Sequence, residues 1–141
     1  MRIPDPEPGL VVRYDFLWSR DAERGRTSSK DRPACVVAAL DEPGDPRLVV
    51  LLAITHAAPA DDTIAMEIPI AVCRKLGLDE ARSWIVLSEY NIDLWPSPGL
   101  ASLPGKRKNV AYGFLPPNLF ARIKVAFREA HIAGKTRGTR R

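Results

Sequence analysis

The run of apolar and polar positions along the chain predicts mostly strands. Residues 9–18, Gly-Leu-Val-Val-Arg-Tyr-Asp-Phe-Leu-Trp, are rich in β-branched and aromatic side chains and read as a first strand. Residues 33–40 form a second apolar run and residues 48–54 a third. The third is unbroken, as in a strand buried on both faces. Between them, residues 41–47 (Asp-Glu-Pro-Gly-Asp-Pro-Arg) carry a plain turn signal. Shorter strands are predicted over residues 63–68 and 83–87, with residues 89–94 continuing the last one after a kink.

Helical spacing is rarer. Residues 70–76 precede Gly77, a short helix with a glycine cap, and Asp79-Glu80 is suited to opening another turn. The clear helix covers residues 119–130, behind Pro116-Pro117-Asn118. Its apolar positions Leu119, Ile123, Ala126, Phe127 and Ala130 recur at three and four, while Arg122, Lys124, Arg128 and Glu129 face water. Residues 19–31 are polar and read as a long mobile loop, and residues 96–105 as a second loop. The strands are not separated by helix-length segments, which argues against a parallel βαβ sheet. The predicted fold is mainly β: a small, partly open barrel with a C-terminal helix.

Composition narrows the class. The 141 residues suffice for one domain, with 45% apolar and 27% charged side chains. Residues 1–8 read as a leader, residues 9–130 as the domain, and residues 131–141 as a basic, disordered tail. The net charge is +4, and the tail accounts for it, because Lys135, Arg137, Arg140 and Arg141 meet no acid there. A second role for that tail is electrostatic help in holding RNA phosphates. The two cysteines, Cys35 and Cys73, sit in apolar surroundings without metal-ligand spacing, so neither a zinc site, a cofactor nor a disulfide is expected. No apolar run approaches the roughly 18 residues of a membrane span, and residues 1–8 lack a signal peptide's apolar core. A cytoplasmic protein is expected.

The candidate chemistry lies at two strand ends. In Lys30-Asp31-Arg32-Pro33-Ala34-Cys35-Val36-Val37 an arginine stands at the mouth of an apolar strand. Residues 48–54 run into Thr55-His56. A guanidinium, a hydroxyl and an imidazole are thus delivered to strand ends or the adjoining loops. Arg32 is suited to gripping a phosphate with two donors, and Pro33 holds its backbone extended. The bland alternative is a structural salt bridge to Asp31 or another acid. Thr55 is suited to a phosphate oxygen, or to tying down its own loop. His56 is an acid–base candidate or a solvent-facing loop residue. Glu23 is a candidate base or an ordinary surface charge. Arg20, Arg24, Arg26 and Lys30 are candidates for a patch that follows phosphates, with Trp18 as a stacking platform for a base. Trp84 opens an apolar strand and reads as core.

Four segments in order carry a resemblance. They are the first strand over residues 9–16, the Lys30–Val37 motif, the strand Val49-Val50-Leu51-Leu52-Ala53-Ile54-Thr55, and Tyr112-Gly113-Phe114-Leu115 leading into the last helix. Together they resemble the MazF/PemK family of growth-inhibitor toxins from toxin–antitoxin pairs. The resemblance implies an SH3-like barrel, a homodimer and a metal-independent endoribonuclease that cuts single-stranded RNA by 2′-hydroxyl attack. It also implies inhibition by a cognate antitoxin. The matched site positions are Arg32 and Thr55. The turn over residues 41–47, the loop over residues 96–105 and the basic tail depart from the family's pattern, and residues 84–95 match its late-strand motif poorly. Two other readings stay open: a barrel module that binds a protein or nucleic acid without cutting, as gyrase-poisoning relatives of the fold target a protein, and an RNA-binding regulator that relies on the basic loop and tail.

Overall fold

Three strands buried on both faces over much of their length organise the molecule. The computed structural model describes residues 2–40, 47–79 and 81–141. In chain order the elements are β1 (Leu10–Asp15), α1 (Ser19–Glu23), β2 (Asp31–Leu40), β3 (Arg47–Thr55), β4 (Ala65–Ile68), α2 (Ile70–Leu76), β5 (Ser83–Val86), β6 (Glu89–Trp95), β7 (Ala111–Phe114), α3 (Pro117–Ile132) and β8 (Arg137–Arg140). Among the described residues the strands make one curled sheet, ordered β4-β5-β3-β2-β1-β7, with β6 branching from β3 and β8 from β6. All pairings are antiparallel except β6–β8. The fold is thus mainly β, an antiparallel half-barrel with a C-terminal helix, as the apolar runs predict.

β3 is the spine. Its first half pairs with β6, Arg47 opposite Trp95 through Leu51 opposite Asn91. Its second half pairs with β5, Ile54 opposite Ile85 and Thr55 opposite Trp84. Its other edge pairs with β2 from Leu48 to Ala53. Successive β3 side chains enter two different cores. Leu52 and Ile54 join Val11, Cys35, Ile85, Leu119 and Ile123 beneath α2 and α3. Val49, Leu51 and Ala53 join Val12, Tyr14, Phe16, Val36 and Trp95 on the opposite face. Burial on both faces is why residues 48–54 carry no polar alternation. One extra residue bulges β2 between Val36 and Ala38.

The α3 stripe is as spaced: Leu119, Ile123 and Ala130 are buried and Ala126 and Phe127 half-buried. α2 ends at Gly77 in the left-handed region (φ 72°). Cys35 and Cys73 are buried free thiols. Among the described residues no helix is long and apolar enough to cross a membrane.

Three expectations differ. The supposed disordered tail is structured: α3 runs to Ile132, and Arg137–Arg140 pairs along β6 as β8. The open edge of β6 supplies hydrogen bonds that a Gly- and Arg-rich tetrapeptide could not organise alone. The supposed mobile loop begins with α1, whose first N–H, on Ser19, donates to Glu89 Oε1 from β6 at 2.8 Å. Asp79 does not open a helix; its Oδ1 accepts from Ala81 N at 3.0 Å. The turn predicted over residues 41–47 falls mostly outside the described residues, as does Glu80.

Candidate nucleic-acid interface

Cross-strand register brings the two predicted strand ends together. In the stretch nearest the site, β2 and β3 pair Val36 with Leu51, Cys35 with Leu52 and Ala34 with Ala53. Two residues further along the same register, Arg32 stands across from Thr55. Both follow the alternation of Ala34 and Ala53, whose side chains belong to the β1–β3 face opposite α3. Each is half-buried at the rim of that face.

The rim is hollowed. A cavity of about 590 Å³ is lined by Arg32, Thr55, His56, Asp79, Ser83 and Lys106, among others. A second, of about 840 Å³, is lined by Arg32, Thr55, Trp18, Arg20, Glu23 and Arg137. A third hollow, of about 700 Å³, lies under residues 25–30 and also reaches Arg32. Arg32 is common to all three, and Lys30 accompanies it in each.

The Arg32 guanidinium lies over the Trp18 ring, 5.1 Å from its centroid. Trp18 is itself held edge-on against Phe16, with centroids 4.8 Å apart. Arg32 Nε is buried without a hydrogen-bond partner, the one such side-chain nitrogen or oxygen among the described residues. Burial lowers the Arg32 pKa from its ordinary value, against a weaker upward pull from Asp15 and Asp21. A guanidinium remains charged at neutral pH through such a shift. The salt bridge to Asp31 does not form; Asp31 turns to Arg13 at 3.9 Å. A desolvated cation with an unpaired donor attracts an anion strongly.

The other predicted residues divide. Thr55 Oγ1 accepts from Ala57 N at 3.2 Å, so it braces its loop while lining the cleft. His56 follows at the same rim. Its Nδ1 lies 3.1 Å from the Arg82 carbonyl and 3.2 Å from Ser83 Oγ, and its Nε2 3.6 Å from Asp79 Oδ2. Glu23 reaches the larger cavity but pairs with Arg137 at 3.6 Å, which weakens its case as a base. Arg20 and Lys30 are exposed and line the clefts. Arg26 pairs with Asp21 at 3.8 Å. Arg24 caps α1 and lines none of the three hollows. One face of Trp18 carries Arg32, so the ring serves the arginine before it can serve a base.

Several lining residues escaped the sequence. Lys135 and Arg137 reach the larger cavity because β8 docks beside α1, and Arg13, Asp79, Ser83 and Lys106 reach the smaller one. The basic tail was a signal for the first pair; nothing local marks the others. Compared with known protein families and with curated proteins, the chain matches none.

Proposed function

We propose that the protein is a toxin-type endoribonuclease with an SH3-like barrel, cutting single-stranded RNA in the cytoplasm without a metal. Cleavage of this kind needs a base for the 2′-hydroxyl, positive charge on the phosphorane and a proton for the leaving 5′-oxygen. The observation that carries the reading is Arg32: a half-buried guanidinium with an unpaired donor, across from Thr55, at the meeting point of three hollows. Such a donor stabilises charge as it develops on a phosphate oxygen, without the reorganisation water would require. Lys30, Arg20, Lys135 and Arg137 add positive charge along the cleft, where a phosphate backbone would run. A cognate antitoxin covering this cleft and a homodimer through barrel edges complete the proposal.

One observation favours a module that binds without cutting: Glu23, a candidate base, is ion-paired with Arg137. A single experiment separates the two. Purified protein and its Arg32→Ala variant are incubated with long single-stranded RNA in EDTA. Fragments with cyclic-phosphate ends from the wild type alone support the nuclease. Intact RNA in both lanes, with both proteins folded, supports the binding module.

A further inference from the structure

We infer that His56 Nε2 is the base that accepts the 2′-hydroxyl proton, and that Ser83 and the Arg82 carbonyl hold its ring in the tautomer this requires. The inference rests on the ribonuclease reading above and supplies the base that Glu23 does not.

The sheet builds the arrangement. β3 and β5 pair Ile54 with Ile85 and Thr55 with Trp84, and one step further His56 stands across from Ser83. His56 is therefore placed by the same strand end that places Thr55, and it lines the cavity that Arg32 and Thr55 line. Ser83 is buried, at 1% exposure. Its Oγ lies 3.2 Å from the Ala81 carbonyl, which can only accept, so the single hydroxyl proton is committed there. The oxygen facing His56 Nδ1 then offers a lone pair. The second neighbour of Nδ1, the Arg82 carbonyl, also only accepts. Two acceptors against Nδ1 require it to carry the proton of the neutral ring. Nε2, whose neighbour is the Asp79 carboxylate, is left with its lone pair.

Asp79 Oδ2 lies 3.6 Å from Nε2 and is placed to face the charged ring once a proton has arrived. Asp79 is the charged group against the imidazole. Arg82 turns its guanidinium away, onto Glu67 at 2.8 and 2.9 Å. The rest of the cavity carries Arg32, Arg13 with Asp31, Lys30, Lys106 and Tyr112.

The step balances. The 2′-O–H bond breaks and its proton passes to Nε2. The freed pair on the 2′-oxygen forms the bond to phosphorus. The P–O5′ bond breaks, its pair leaves on the 5′-oxygen, and that oxygen takes a proton from water. The hydroxide so formed is neutralised by the proton that the imidazolium releases. Ser83 and Asp79 touch no reacting atom and are positioning residues.

Two measurements test this. Long-range ¹H–¹⁵N NMR of the wild type reads the His56 tautomer directly; a neutral ring protonated at Nδ1 is expected, and a ring protonated at Nε2 would overturn the inference. Single-turnover cleavage in EDTA is then followed from about pH 5 to about pH 9. The wild-type rate should rise with pH and level off. His56→Gln should cut about 100-fold more slowly and lose the rising limb. Ser83→Ala should slow cutting by a smaller factor, about 10-fold, and displace that limb. If His56→Gln cuts at the wild-type rate with the wild-type pH profile, His56 is a structural tie between β3 and β5 and the inference fails, while the nuclease stands. If the folded wild type cuts no RNA, the nuclease reading fails and takes the inference with it.

Discussion

Among the described residues three arginines lie over aromatic rings, and two of them, Arg141 and Arg32, differ in one respect of their surroundings. Arg141 lies 5.6 Å from the centroid of Tyr14, as Arg32 lies 5.1 Å from that of Trp18. Arg141 donates to the Asp15 carbonyl, to Thr27 O at 3.0 Å and to Asp15 Oδ2 at 3.4 Å. Beneath it, Tyr14 and Ser97 both donate to the buried Asp93 at 2.6 Å. Nothing in that corner is left unpaired, and the result is a clamp joining β8, β1 and the loop after α1. Arg32 is equally cushioned but keeps a buried donor without a partner. The same residue type thus completes a structure in one place and holds an unspent interaction in the other. Desolvating a cation without pairing it opposes folding.

The largest effect that would break this contrast is on activity. Arg32→Ala should lower RNA cleavage by about 1,000-fold. Its unfolding free energy in urea should change by less than about 1 kcal/mol, because no paired group loses its partner. Arg32→Lys should not rescue cleavage, since an ammonium cannot reproduce the planar fork. A stability loss in Arg32→Ala of several kcal/mol would make Arg32 a structural residue like Arg141.

The satisfied corner should show the reverse. Asn91 is fully buried; its Oδ1 accepts from Leu17 N at 2.9 Å and its Nδ2 donates to Leu17 O at 2.8 Å. Asn91→Ala strands both backbone groups and should cost about 2–4 kcal/mol in a urea titration. Arg141→Ala should cost less, about 1–2 kcal/mol, because the ion pair with Asp15 is partly exposed. It should also speed proteolysis within residues 24–30. Equal protease resistance would show that the clamp does not hold that loop.

The smallest effect is a pH dependence of stability. Burial, and then the hydrogen bond to Asp93, push the Tyr14 pKa upward from 10.0. Burial likewise pushes the Cys35 thiol up from 9.0 to about 12. In both cases the folded protein holds the proton more tightly than the unfolded chain. The stability this contributes is complete below the unfolded values and is lost as pH rises past them. Unfolding free energy should therefore be level from neutral pH to about pH 8.5 and fall from about pH 9 upward. The fall should be shallower in Cys35→Ala, and an identical fall would leave Cys35 out of the linkage.

Legibility followed sequence distance. The strands β1, β2 and β3, the cap at Gly77 and the α3 stripe could be read because each is a repeat of local side-chain chemistry over several residues. α1 could not. It is five residues long, with its first N–H capped by Glu89, seventy positions away. β8 could not be read either. Arg-Gly-Thr-Arg has no strand signature, and Gly138 is needed there because a Cβ would sit 2.4 Å from the Tyr90 ring. The candidate site divides along the same line. Arg32 and Thr55 stood out as polar residues ending apolar strands. The pairing of Glu23 with Arg137, and of His56 with Ser83, had no local trace.

Pattern and composition were therefore sufficient for a mainly β chain with one amphipathic C-terminal helix and reactive side chains at strand ends. Both follow from periodicity, which any short window of the chain contains. Which strand ends meet, and which arginine finds partners and which is left with a free donor, were settled by register between strands far apart in sequence. Register minimises unburied apolar surface across the whole sheet at once, so no single segment contains the information that fixes it.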